Sequence, residues 1–227
     1  IDYIYHHLIT QKKQKKDIFI LSKGHSAIAQ YVILESLNIL KKKDIDSYCT
    51  SKGILGCHPD IENNGINAST GSLGHGLAIA VGIAHSFKIK KSNQKCFVVM
   101  SDGELQEGST WEALMMSANL ELDNLIIFLD HNGSQSFGHT KETHPKFYPI
   151  EEKIKSFQLA TSSANGHDIL SISKALNKII DKNSPKFVIC NTVKGKGVSF
   201  MEHQPIWHYR SPNEGEYKIA LEDIKKL

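Results

Sequence analysis

The sequence is short of the features that mark whole classes of protein. Its four cysteines, Cys49, Cys57, Cys96 and Cys190, form no CxxC pair, which removes the paired-thiol motifs of metal and redox sites. Cys96 and Cys190 sit inside apolar runs, where cysteine behaves as a small hydrophobe. A reducing cytoplasm is therefore the expected setting. No apolar stretch approaches the ~18 residues of a membrane span. An excess of one charge is also lacking: 27 Lys and Arg against 24 Asp and Glu leave +3, too little to point to nucleic acid. The basic runs Lys12-Lys13-Gln14-Lys15-Lys16 and Lys41-Lys42-Lys43 have little aromatic interleaving and read as solvated helix ends and loops. Internal repeats and low-complexity linkers are absent. So is an initiating methionine: the chain opens at Ile1, inside what reads as an amphipathic helix. Its N-terminus is expected to be truncated, and no targeting peptide is identified.

What is present suffices for a folded core. The 227 residues are 40% hydrophobic and 22% charged, which fits one domain over residues 1–227. Ala27, Ile28, Tyr31, Val32, Leu34 and Leu37 recur at helical spacing and predict a helix over about 26–41. Asp44-Ile45-Asp46 starts a short helix expected to end near Cys49 to Ser51. Residues 53–71, rich in Gly, Asn and Pro, read as a long ordered loop of the functional kind. A helix over about 74–90 follows, with small residues on one face. Cys96-Phe97-Val98-Val99-Met100 and Leu125-Ile126-Ile127-Phe128-Leu129 are fully apolar runs, as buried parallel strands require, with a helix over about 108–121 between them. A helix over 168–181 and a strand over Phe187 to Cys190 continue the alternation. The pattern predicts an α/β fold, an open, mostly parallel sheet with helices on both faces.

In such sheets ligands bind outside the carboxyl ends of the strands. One central run ends in Ser101-Asp102-Gly103-Glu104, the next in Asp130-His131-Asn132-Gly133. Asp102 and Asn132 offer hard oxygen ligands, which suit Mg²⁺ or Ca²⁺, and Mg²⁺ usually completes its shell with water and phosphates. Gly103 lets a ligand approach the backbone, with its amide free for a phosphate oxygen.

Asp102-Gly103 with Asn132 thirty positions on resembles the signature of thiamine diphosphate enzymes. More narrowly, the chain resembles the diphosphate-binding half of transketolase. Ser22-Lys23-Gly24-His25, His58-Pro59, Ser69 to Gly76, Ser101 to Gly108 and Lys194 to Ser199 stand in that family's order, across about 22–210. The Gly-Ser-Leu-Gly-His-Gly and Lys-Gly-Lys-Gly-Val forms are similar to split transketolases, whose two cofactor-binding domains are separate polypeptides. This chain resembles their N-terminal subunit.

The resemblance implies transfer of a two-carbon ketol unit from a ketose phosphate to an aldose acceptor. It implies thiamine diphosphate with Mg²⁺ (or Ca²⁺) as cofactors, and a C-terminal partner subunit in a heterotetramer. Asp102, Asn132 and Ser134, the last through its carbonyl, match metal ligands. Gly103 and Glu104 match positions whose amides meet the diphosphate, while Gly71 and Leu73 match those whose backbone meets the aminopyrimidine. His25, His58 and His208 match histidines of the substrate channel, His208 lying also near the diphosphate. Glu107 and Glu112 resemble acids facing the partner, although a first-turn carboxylate is also ordinary helix chemistry. Two departures stand out: Ser101 in place of the signature's first Gly, and Tyr209 after His208 where Gly is usual. An upstream Gly-His segment of the family is absent from residues 1–227. Two other readings remain open at this level, the α-subunit of a 2-oxoacid dehydrogenase and a non-catalytic paralogue that only assembles with a partner.

Overall fold

The computed structural model describes residues 1–9, 17–136, 138–181 and 183–226. The basic run at 12–16 lies outside them. Seven strands occur among the described residues: β1 (Ile18–Leu21), β2 (Cys96–Ser101), β3 (Leu125–His131), β4 (Ser134–Gln135), β5 (Gly138–His139), β6 (Ala160–Asn165) and β7 (Lys186–Asn191). Five of them form one sheet in the order β1-β2-β3-β7-β6, every pairing parallel. β4 and β5 pair antiparallel as a small hairpin just past β3. The α-helices are α1 (Ala27–Ser36), α2 (Lys42–Asp46), α3 (Gly76–Ile89), α4 (Gly108–Asn119), α5 (Thr140–Thr143), α6 (Ile150–Ser156), α7 (Ile169–Lys178) and α8 (Glu214–Ile224).

Strand side chains alternate between two cores, one on each face of the sheet. Cys96, Val98 and Met100 of β2, with Leu125, Ile127 and Leu129 of β3, pack with Leu77, Ala80, Val81 and Ala84 of α3, Leu114 of α4 and Ile154 of α6. Phe97, Val99, Ile126 and Phe128 point the other way, onto Tyr31 and Leu34 of α1, Ala175 of α7 and Tyr3 to Tyr5 near the N-terminus. Both faces of each central strand are apolar, which explains the unbroken hydrophobic runs. The expected sheet with helices on both faces is therefore the fold.

Several element limits differ from the sequence expectation. α1 stops at Ser36, short of 41, because Asn38 takes a left-handed turn at φ 58°. The amides of Asn38 and Ile39 donate back to the Glu35 and Leu34 carbonyls, a helix-ending pair of bonds that favours Gly or Asn. The short helix begins at Lys42 and ends at Asp46, with the side chain of Asp44 accepting from the Lys41 amide. Lys41 to Lys43 are exposed, as expected. The N-terminal segment forms a single π-type turn over Ile4–Leu8, anchored by buried Ile4 and Tyr5. α7 ends at Lys178, since Ile179 is extended.

The long stretch from Ser47 to His75 carries neither helix nor strand, yet it is well tied. The Tyr31 hydroxyl donates to the His58 carbonyl at 2.7 Å, and the Thr70 hydroxyl donates to the Leu21 carbonyl at 2.6 Å. The stretch's own Leu55, Ile66 and Ala68 are buried. These bonds lay the loop across the carboxyl edge of β1.

Candidate active site

Strand register brings the chemistry together. Leu21 pairs with Val99, Ser101 with Asp130, and Asp130 with Cys190. The segments after β1, β2, β3 and β7 therefore leave the same edge of the sheet. They line a cleft of about 340 Å³ that includes His25, Gly71, Leu73, Gly103, Asn132 and Ser134. Glu107 and His208 lie on its wall as well, as do Lys23 and Lys194. Of the residues expected there, Asp102, Glu104, His58 and Glu112 stand apart from this lining, Asp102 and Glu104 being buried behind it. His58 is exposed, with its ring against Gly71, where an added Cβ would come within 2.7 Å of it. Glu112 is exposed on α4.

Asp102 is buried behind the cleft, between Ser101 and Gly103, which line it. Its Oδ2 accepts from the Gly133 amide at 2.7 Å and its Oδ1 from the Gly103 amide at 3.0 Å, which fastens the end of β2 to the loop after β3. Burial pushes its carboxyl up to about 6, because a charge in a poorly solvated place is disfavoured. Asn132 Oδ1 accepts from the Ser134 amide at 2.9 Å, and the buried Ser134 hydroxyl has no partner among the described residues. A carboxylate, an amide oxygen and an unpartnered hydroxyl in one place form a hard-oxygen set, the chemistry a divalent cation prefers. Among the described residues no cluster of three His, Cys, Asp or Glu competes with it. The residues present therefore fit a metal bound with a phosphate group.

Glu104 has a second task that its sequence position did not disclose. Its side chain is wholly buried and accepts from the Ser22 hydroxyl at 2.5 Å, the Gly74 amide at 3.1 Å and the Ser101 amide at 3.1 Å. Three motifs far apart in the chain meet on one carboxylate. Burial raises its pKa, against those hydrogen bonds. Two glycines permit the same closeness: a Cβ on Gly24 would lie 2.7 Å from the Gly71 amide nitrogen, and one on Gly76 2.5 Å from the Ser22 hydroxyl. Ser101 itself ends β2 with none of the left-handed backbone that would demand glycine. The departure from the signature is accommodated.

The rings of His25 and His208 lie 5.6 Å apart at the cleft mouth. Burial first, then Lys23 and other nearby cations, push His25 down to about 4; burial and Lys194 lower His208. Both are neutral near pH 7, which lets each ring accept as well as donate a proton. His208 is carried by a short 3-10 turn, Pro205–His208, whose Trp207 donates to the Phe200 carbonyl at 3.0 Å. Tyr209 stands 70% exposed beside it, at the rim. The sequence reading missed the pairing of Lys23 with Asp130 behind the cleft; its one signal was a lysine set between an apolar run and a glycine. A second cavity of about 380 Å³ lies behind that pair.

Comparison with known proteins agrees with this geometry. Residues 4–208 match the family described as transketolase, thiamine diphosphate binding domain. One component of the apulose-4-phosphate transketolase of Actinobacillus succinogenes, named as a subunit of that enzyme, is 39% identical over 212 residues, 93% of this chain and 76% of that one. A 6-deoxy-6-sulfo-D-fructose transketolase subunit from a Clostridium species is 33% identical over 214 residues, 93% of this chain and 78% of that one. Among solved structures, transketolase from Campylobacter jejuni superposes with a TM-score of 0.84 at 26% identity, covering 93% of this chain. The chain spans 34% of that longer protein.

Proposed function

Because the chain belongs to the transketolase family, as its thiamine diphosphate-binding domain, we propose that it is the N-terminal subunit of a split transketolase. The Actinobacillus and Clostridium relatives are themselves named as subunits. In this reading residues 1–227 act as one diphosphate-binding domain, in the cytoplasm. The chain pairs with a C-terminal subunit in a heterotetramer and works on sugar phosphates. The observation that carries the reading is the meeting of Gly103, Asn132 and Ser134 in one cleft with His25 and His208, backed by buried Asp102, which the Gly103 and Gly133 amides hold.

Thiamine diphosphate, when bound, supplies the carbanion chemistry by which a two-carbon ketol unit leaves a ketose phosphate for an aldose. The chain's own residues hold and orient it. Asp102, Asn132 and the Ser134 carbonyl would hold Mg²⁺, Ca²⁺ being the other hard cation that suits them, and the Glu104 amide, with the Gly103 amide once it leaves Asp102 Oδ1, would meet the diphosphate. Gly71 and Leu73 present backbone to the aminopyrimidine. His25 and His208, neutral and at the mouth, exchange protons with substrate hydroxyls; His58, beyond Gly71, serves the outer channel. Glu107 faces the partner from the cleft wall and Glu112 from α4.

The test is an assay of the purified chain, alone and with its partner, with thiamine diphosphate and Mg²⁺ present. Ketol transfer is expected only from the pair. Robust turnover by the chain alone refutes the split site, and turnover of a 2-oxoacid in place of a ketose phosphate refutes the substrate class.

A further inference from the structure

Two strand-end carboxylates stand side by side on this sheet and are held differently: Asp102 is buried behind the front cleft, and Asp130 faces a rear cavity. Asp102 follows β2; Asp130, near the end of β3, is the register partner of Ser101. Both oxygens of Asp130 are taken. The Lys23 ammonium donates to Oδ2, which also accepts from the Asn132 amide at 3.4 Å, and the Thr192 hydroxyl donates to Oδ1. The Lys23 side chain is 11% exposed, so salt screens the pair little. Asp130 lines the rear cavity and is not part of the front lining, whereas Lys23 lines both. The pair is the wall between the two spaces.

A buried ion pair is a weak stabilising device, since desolvation offsets much of its attraction. Its consequence here is the placement of charge. Resting on the split-transketolase reading, we infer that Lys23 is a positioning residue that ties Asp130 back, leaving Asp102 as the one carboxylate for the divalent ion and keeping the cleft receptive to a diphosphate. The groups lining the cleft are Lys23, Lys194, His25 and His208 against Glu107, with buried Asp102 behind them, held by the Gly103 and Gly133 amides. Release of Asp130 adds a negative charge beside Asp102 and lets its side chain swing to the ion. The same bonds fix Asn132, because its amide nitrogen rests on Asp130 and so turns its oxygen toward Ser134.

The experiment titrates thiamine diphosphate at saturating Mg²⁺ into the assembled complex, and Mn²⁺ alone as a metal probe, for wild type, Lys23→Met, Asp130→Asn and the double variant. Lys23→Met is expected to weaken thiamine diphosphate by about tenfold or more while Mn²⁺ alone binds more tightly, with Asp130 recruited as a second anionic ligand. Lys23→Met/Asp130→Asn recovers most of the cofactor affinity. A merely structural pair would lower the melting temperature without moving the two affinities in opposite directions. Should Lys23→Met not fold, Asp130→Asn carries the test: its cofactor affinity holds or rises, and a tenfold loss would make Asp130 a ligand and overturn the inference. Wild type that takes no thiamine diphosphate overturns the split-transketolase reading and this inference with it. Wild type that binds while Lys23→Met binds equally well overturns the inference alone.

Discussion

Single residues at the sheet edge differ sharply in what holds them, and that difference sets what each substitution does. Asp102 sits past the end of β2, outside both cores, so Asp102→Ala should leave the fold intact and remove metal-dependent binding of thiamine diphosphate. Asn132→Ala should do the same more mildly, a neutral ligand contributing less charge. Calorimetric titration beside a circular-dichroism melt checks both; unchanged affinity in Asp102→Ala would remove it from the metal site. His25 supplies a pH signature. Its pKa is lowered from 6.5 to about 4 in the folded chain, so between those values the unfolded chain binds more protons. This residue's share of stability is therefore present above pH 6.5 and is lost as pH falls toward 4. His25→Gln should flatten denaturation midpoints across that window, and the ring should titrate well below 6.5 by NMR. A ring that titrates at 6.5 or above would contradict the cation-lined cleft.

Elements show where sequence and structure part company. β2, β3 and β7 were legible because both their faces are buried, which leaves unbroken apolar runs. β6, Ala-Thr-Ser-Ser-Ala-Asn, was not, since it is an edge strand paired on one side only, with a single fully buried residue, Ala164. β1 carries an Ile-Phe-Ile-Leu run, and α8 a capping box between Asn213 and Glu216, so both have a signal in the sequence. That Asp102 and Asn132 follow neighbouring strands was legible from their spacing, whereas Ser134 was named only through the family resemblance. The Glu104 contacts were not legible, because a carboxylate joining Ser22, Gly74 and Ser101 depends on three loops folding at once. Glycines divide by the same logic. A Cβ on Gly24 meets backbone at 2.7 Å, while one on Gly82, mid-helix in α3, meets nothing within 4 Å. Gly24→Ala should destabilise the chain and loosen the cofactor. Gly82→Ala should raise the isolated chain's stability by up to about 1 kcal/mol yet weaken assembly, if the open face of α3 at Ala78 and Gly82, near His85, meets the partner. Urea denaturation and a pull-down with the partner separate the two effects.

At the scale of the whole molecule the cleft is half a site in the split reading. Its volume of about 340 Å³ stands near the low end of the ~300–1,000 Å³ of small-molecule pockets. It opens beside helices that expose Ile79, Met115 and Met116, side chains suited to a protein surface. No helix among the described residues is long and apolar enough to cross a membrane. The mass of the assembled enzyme should correspond to two copies of each subunit, and a one-to-one complex would overturn that stoichiometry. The knot at Glu104 has a thermodynamic corollary. Loops that must order on capture make binding enthalpic and entropically opposed, with a large negative heat-capacity change. Here Ser22, Gly74 and Ser101 are already drawn onto one carboxylate within the chain. The diphosphate end of the cofactor accordingly docks on a preset template, with a small heat-capacity change, and whatever slow ordering the holoenzyme shows belongs to the seam between its subunits.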